Sequence, residues 1–428
     1  MHTSRLFCGF LLSGAVGLGC ADTPTPKVPG PTTAEPLPIA ANTLTAPTPT
    51  VLERTPASPL INEGSDGSAS FTWSAYAALR GTGANYVFSG ASLRRALAMA
   101  AAGARGVTKS EMDSVLGPGG AKDDASNSLT SPSGPTTVRI ANRLWADEHV
   151  TVRAEYTDTV RSQFGATLEL LPMRTDAEAA RMKVNAWVSD QTSGKIVDLL
   201  PKGAIHANSR LVVTNAVYFK APWQAPFTAS MTKDEPFTDE SGKKKNVPTM
   251  RRESVMRAAE LPDAKLVELD YRDSDFVMTL VLPNDVNGLA KIETSMTAAA
   301  FTKALESLKL QRVSLFLPRF KFRAGGNVNR ALQQLGIRAA FSTSADFSGI
   351  LHEGAGPLML DSVFHDAFIA VDEQGTEAAA ATALVMGVRS MPLGKPMEIR
   401  ADHAFLFVIR NKKSGHILFL GRVAQPAT

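Results

Sequence analysis

Val371-Asp372-Glu373-Gln374-Gly375-Thr376-Glu377-Ala378-Ala379-Ala380-Ala381-Thr382-Ala383-Leu384-Val385-Met386-Gly387-Val388-Arg389-Ser390-Met391-Pro392 lies near the C-terminus of the chain. It starts as an apolar strand, passes through acidic residues and a glycine, and then runs through small or apolar side chains to one arginine. That is too apolar for an ordinary surface loop, and as a helix the run lacks a sustained apolar face. Strand side chains alternate, so from Thr376 one face would carry Thr376, Ala378, Ala380, Thr382, Leu384 and Met386, all uncharged. The other face carries Glu377, Ala379, Ala381, Ala383 and Val385, which leaves the single charge free to stay in water. A proline or a charge at an inward position would remove a ladder hydrogen bond or strand an ion, and neither occurs there. Alanine also loses little side-chain entropy on becoming ordered. Two readings follow from the residues alone: an alanine-rich flexible loop, or a loop that can become a strand.

The rest of the composition narrows the class. At 428 residues, 44% hydrophobic and 20% charged, the chain can bury a sizeable core. The formal net charge of +4 is small and dispersed, so no nucleic-acid partner is expected. Lys243-Lys244-Lys245 follows Ser241-Gly242 and reads as a solvated turn. The seven histidines are scattered without His-Glu-x-x-His spacing, and a glycine-rich phosphate loop is missing, so neither metal nor cofactor is expected. Ser241-Gly242-Lys243-Lys244 contains Ser-x-x-Lys, and Lys413-Ser414-Gly415 resembles the Lys-Thr-Gly of penicillin-recognising hydrolases. The first lies in a polar turn and the middle Ser-Asp-Asn element is missing, so that chemistry is not expected.

Residues 1–20 read as a cleaved export signal: Arg5, an apolar run from Leu6 to Leu18 too short to span a bilayer, then Gly19-Cys20. Gly19-Cys20 resembles a bacterial lipoprotein cleavage site with Cys20 as the lipid acceptor, although Gly17 stands where leucine is usual. Removal of the signal takes Cys8 with it, leaving at most Cys20 and no intramolecular disulfide. Residues 21–68 hold ten of the 26 prolines and read as a disordered, extended tether. An extracytoplasmic protein is expected, secreted or lipid-anchored, with membrane attachment only through Cys20.

The globular part, 69–428, mixes helices and strands. Helical spacing recurs at Phe71, Ala75, Ala78 and Leu79, and at Leu93, Ala96, Leu97 and Ala100 behind Ser92, a residue suited to cap a helix. Thr108 and Glu111 form a capping-box pattern for a helix ending at Gly117. Further helices are expected over Glu155–Phe164 and Ala177–Gln191. Strands are expected over Arg139–Trp145, Leu211–Phe219, Phe276–Leu282, Val313–Phe316, Ala367–Val371, Phe405–Ile409 and Ile417–Leu420. Helices lead in the first half and strands in the second, without βαβ alternation, which predicts an α+β fold with a large antiparallel or mixed sheet.

Several motifs together resemble the serpin family and occur in its order: Asn85-Tyr86-Val87-Phe88-Ser89-Gly90-Ala91-Ser92, Gly103-Ala104-Arg105-Gly106, Asn185-Ala186-Trp187-Val188, Thr192-Ser193-Gly194-Lys195-Ile196, Thr214-Asn215-Ala216-Val217-Tyr218-Phe219-Lys220, Ala404-Phe405-Leu406-Phe407-Val408-Ile409-Arg410 and Ile417-Leu418-Phe419-Leu420-Gly421-Arg422-Val423. The resemblance spans roughly Ala69 to Val423. It implies helices packed around three β-sheets, with an exposed reactive loop at about 375–392. Gly375, Thr376, Glu377, Ala378, Ala379, Ala380, Ala381 and Thr382 would be the loop's hinge, and Arg389-Ser390 the scissile bond.

The resemblance further implies an inhibitor rather than an enzyme. A trypsin-like serine protease would take Arg389 in its acidic primary pocket, its serine would attack the Arg389 carbonyl, and insertion of the cleaved loop as a strand would trap the acyl-enzyme. Cleavage near Met386 instead would shift specificity toward enzymes preferring apolar residues. Ser92, Asn215 and His365 match the family's polar cluster beneath the point where the main sheet opens, and Trp223 matches its upper-sheet aromatic. Gly90 stands where the family usually has proline, so a looser turn is expected there. Residues 118–137 carry only Lys122 as a basic group, so no glycosaminoglycan helper is expected at that position. The protein is expected to be a monomer. The rival reading is a non-inhibitory serpin, a binding or chaperone module; such members commonly carry bulky, charged or proline hinge residues, which this sequence lacks.

Overall fold

The main sheet is built around a strand, Leu211–Pro222 (β5), rich in β-branched and aromatic residues and buried from Leu211 through Phe219. A strand covered on both faces belongs inside a sheet rather than at its edge. The structure is a computed structural model in which residues 41–43, 67–81, 85–117, 135–352, 357–377 and 394–426 are described. Among them, a seven-stranded sheet runs in the order β1 (Ala41–Thr43), β11 (Phe320–Asn327), β12 (Ser362–Val371), β13 (Gly375–Thr376), β5, β3 (Thr137–Asp147), β4 (Leu168–Leu171).

A nine-stranded sheet follows the path β14 (Met397–Arg400), β10 (Lys309–Pro318), β7 (Lys244–Glu260), β8 (Ala264–Asp270), β9 (Phe276–Pro283), β15 (Phe405–Asn411), β16 (Ile417–Val423), β2 (Tyr86–Phe88), with β6 (Lys233–Thr238) also on β7. β7 continues unbroken for 17 residues, pairing with β6 and β10 along most of its length and with β8 at its end. One long strand therefore joins two groups of shorter ones.

Helices cover the main sheet on both faces. Behind it lie α1 (Gly67–Leu79), α2 (Gly90–Ala102) and α3 (Gly106–Leu116), whose apolar residues belong to the larger core cluster, as do those of α4 (Ala154–Phe164). In front lies α5 (Ala177–Gln191), opened by the Asp176 carboxylate accepting the Ala179 N–H at 2.9 Å. Ala180, Val184 and Val188 recur every four residues, and they pack on Trp145, Val212, Ala216, Tyr218, Phe364 and Phe368 in a second cluster.

Local details depart from expectation in four places. Ser92 is not the helix cap: β2 ends at Phe88, so α2 starts a turn earlier and the Ser89 side chain accepts the Ser92 N–H. The Thr108–Glu111 capping box does not form, because both side chains serve distant partners. Thr108 accepts the Asp346 N–H at 2.9 Å, and Glu111 accepts the N–H groups of Arg338 and Ala339. Gly90 is buried in the first turn of α2, where a Cβ would sit 2.2 Å from Thr72 Oγ1, so close packing rather than a loose turn fits this glycine. Within the stretch read as a tether, Ala41–Thr43 pairs in parallel with Arg323–Gly325, where an edge strand offers free backbone groups.

Gly90→Ala should destabilise the fold by about 1–3 kcal/mol through overpacking, read as a lower urea midpoint at unchanged slope. Adding Thr72→Ala should recover most of the loss.

Candidate functional site: the mouth of the main sheet

β5 and β12 pair directly, in parallel, from Val212/Ser362 to Tyr218/Phe368. Beyond that pair they diverge, and the gap admits β13, with Thr376 opposite Val371 on one side and Ala221 on the other. Gly375 is required at the entrance: its missing Cβ would lie 2.1 Å from the Ala221 carbonyl oxygen. Thr376 faces the interior, 1% exposed, with its hydroxyl 2.6 Å from the Tyr271 hydroxyl. The Glu377 N–H still bonds the Ala370 carbonyl at 2.8 Å, continuing the antiparallel ladder by one residue. Glu377 then takes φ +49°, a left-handed conformation rather than the extended one of a strand.

The turn leading into β13 is held from several sides. Trp223 donates its backbone N–H to the Gln374 carbonyl at 2.8 Å and its indole N–H to the Asp372 carbonyl at 2.9 Å, and its ring stacks on Tyr271 at 4.6 Å. Phe227 N–H reaches the Glu373 carbonyl, and Asp372 Oδ1 accepts the Gln374 and Gly375 N–H groups. The Glu373 carboxylate accepts from Arg319 at 2.5 and 2.8 Å and from the Thr232 hydroxyl. Burial works to raise the Glu373 carboxyl, but these donors outweigh it and hold it below the usual carboxylate range. Asp372 is pushed up, chiefly by burial.

Beneath the directly paired part lies a buried polar cluster that brings Ser92, Asn215 and His365 together. The Asn215 amide donates to Ser92 Oγ and to Asn142 Oδ1, and its carbonyl oxygen meets His365 Nδ1. Ser89 N–H donates to His365 Nε2 at 3.2 Å, so Nε2 is an acceptor and the ring is neutral. Burial pushes His365 down to about 3, which agrees with that neutral state. Across the sheet, Asp366 is paired with Arg323 at 2.7 Å yet pushed up to about 6 by burial. Nothing in this arrangement is a nucleophile held by a base, and no group of three potential metal ligands occurs among the described residues.

A sequence model of the family described as Serpin (serine protease inhibitor) matches residues 66–426. The chain belongs to the serpin family. It is 36% identical to the leukocyte elastase inhibitor of Bos taurus over 80% of this chain and 93% of that one. It is 37% identical to Serpin B3 of Homo sapiens over 68% of this chain and 74% of that one. The crystal structure of uncleaved ovalbumin superposes with a TM-score of 0.77 at 27% identity, covering 84% of this chain and 99% of ovalbumin. The serpin fold, helices packed on several sheets, is thus shared.

Of the serpin positions expected from sequence, Gly375, Thr376, Glu377 and Trp223 gather at the mouth, and Ser92, Asn215 and His365 lie under the seam below it. Ala378, Ala379, Ala380, Ala381, Thr382, Arg389, Ser390 and Cys20 lie outside the described residues. Sequence reading missed Tyr271, Arg319, Thr232 and the partners Asn142 and Ser89. Arg319 stands 54 residues from Glu373, and no local pattern joins them.

The cluster predicts a pH signature. His365 has a folded value below its unfolded one, so its contribution is full above about pH 6.5 and is lost on acidification, about 2 kcal/mol between pH 7 and 5. Asp366 has a folded value above its unfolded one, so its contribution grows as pH falls through 6, by about 1 kcal/mol over the same range. The Asp366 gain offsets roughly half of the His365 loss in the native chain. His365→Asn should therefore gain stability from pH 7 to pH 5 and Asp366→Asn should lose it, as measured by urea unfolding at each pH.

Proposed function

We propose that this serpin is a suicide-type inhibitor of trypsin-like serine proteases, cleaved at Arg389-Ser390. The observation that carries the reading is the register of β13, which already lies antiparallel between β5 and β12. Continuing that register, Ala379 would meet Phe368 and Tyr218, Thr382 would meet His365 and Asn215, and Val385 would meet Ser362 and Val212. Residues 379–385 would thus replace all the direct pairs between β5 and β12 with a new central strand. None of the seven carries a charge and none is proline, so the insertion strands no ion and breaks no ladder bond.

In this scheme the protease serine oxygen bonds to the Arg389 carbonyl carbon, the Arg389-Ser390 amide bond breaks, and the Ser390 amine leaves with a proton. The protease remains esterified to Arg389. Insertion then carries Arg389 away from the mouth before water can attack the ester. The relatives named as inhibitors support the activity in general terms, and the arginine supports a basic-selective partner. Export through residues 1–20, to a secreted form or to one anchored by a lipid on Cys20, belongs to the same proposal.

Incubation with trypsin should yield an SDS-resistant covalent complex, and mass spectrometry should find a released peptide beginning at Ser390. Clean loop cleavage without complex would overturn the inhibitor reading in favour of a binding or chaperone role. Thr376→Arg, which places a charge where the Thr376 side chain meets Tyr271, should turn the inhibitor into a substrate. Normal trapping by that variant would defeat the insertion scheme.

A further inference from the structure

The turn that follows α5 reaches across the front of the main sheet to the hinge. Ser193 and Gly194 take positive φ values of 54° and 74°, and Lys195 N–H bonds the Thr192 carbonyl at 3.1 Å, which fixes where the Lys195 side chain starts. Its ammonium lies 2.5 Å from Glu377 Oε1 and 5.7 Å from the centre of the Phe368 ring. Phe368 and Tyr218 form the uppermost direct pair of the seam, the first that must part if a strand is to enter. The Glu377 charge also reaches Tyr218: burial raises the Tyr218 hydroxyl to about 12, and the Glu377 carboxylate adds to that. Lys195 and Glu377 therefore sit over both halves of the split point.

Glu377 is itself under tension. It is a non-glycine residue in the left-handed region, and its second carboxylate oxygen is buried with no hydrogen-bond partner among the described residues. Its N–H already occupies the ladder position opposite Ala370. Rotation to an extended backbone would relieve the φ strain and let the next residue follow into the sheet. The ion pair to Lys195 holds the side chain where that rotation has not happened. With side-chain exposures of 34% and 16%, it is less screened than a pair in open solvent.

We propose that Lys195 and Glu377 form a catch at the split point, positioning residues that set when the loop advances into the sheet and so how the acyl-enzyme divides between trapping and hydrolysis. The left-handed turn at Glu377 is the spring, and the Lys195 ion pair is what restrains it. The second half of the statement rests on the inhibitory reading above; the first half does not.

The test compares the full chain with Lys195→Met, which keeps an apolar stem on Phe368 and removes the charge, and with Lys195→Arg, which keeps the charge. Amide hydrogen exchange at Tyr218, Phe368 and Glu377 should speed up about two- to ten-fold in Lys195→Met, the range of one ion pair of modest strength. Lys195→Arg should restore the native rate. Raising the salt concentration should move the native chain toward the Lys195→Met rate and leave that variant unchanged. Glu377→Gln should behave as Lys195→Met, and combining the two should add nothing.

Native exchange rates in Lys195→Met, or faster rates that Lys195→Arg fails to restore, would overturn the catch. With trypsin, Lys195→Met should change the ratio of covalent complex to cleaved loop; an unchanged ratio beside altered exchange would overturn the link to trapping. Absence of any complex in the native chain would defeat the inhibitory reading, while the exchange comparison would still decide the catch.

Discussion

The parallel pairing of β5 with β12 stops at Tyr218 and Phe368, and the rest of the molecule is arranged around that stop. Above it two interior strands diverge, leaving backbone donors and acceptors that must find partners. Gly375 and Thr376 supply them, and Trp223 and Phe227 bind the turn that delivers these two residues. The mouth is thus filled by the chain's own next residues. Two residues of a strand are in place there, and Glu377 extends its ladder by one hydrogen bond.

What stands beneath the seam is chemically unlike what stands above it. The mouth is lined by stacked aromatics and by the Glu373–Arg319 pair, which fix the entering turn in one place. Under the directly paired strands, Asn215, Ser92, Asn142 and His365 satisfy one another in a setting where an unpaired polar group costs free energy. Parting the seam must therefore rearrange a hydrogen-bond network as well as a ladder. A neutral His365 on one face and an easily protonated Asp366 on the other make that rearrangement sensitive to acid from both sides.

Much of the fold was legible because its buried elements repeat with clear periods. Ala177–Gln191 was expected within its observed bounds, β5, β15 and β16 were expected two or three residues shorter than they are, and only the second half of β12 was expected. β7 escaped notice because Lys244, Lys245, Arg251, Arg252 and Arg257 interrupt any apolar alternation, while its partners lie far along the chain. The caps at Ser92 and Thr108 were misread for a related reason: hydroxyl and carboxylate groups that suit a helix start serve tertiary partners equally well, Asn142 and Asn215 for Ser92 and Asp346 for Thr108. The hinge could be named because Gly375-Thr376-Glu377 and the small uncharged residues after it resemble the serpin hinge, while the close approach of Gly375 to Ala221 became visible only in the fold. Arg319, Tyr271 and Lys195 could not, because each acquires its role only when the fold carries it to the mouth.

The central claim is that β13 is the beginning of a strand the sheet is built to complete. Its most direct test is the thermal stability of the intact protein against the same protein cleaved once in the loop by a protease that it does not trap. A completed central strand predicts that cleavage raises Tm sharply and protects the β5 and β12 amides from exchange. An unchanged or lowered Tm after a single loop cut would contradict it.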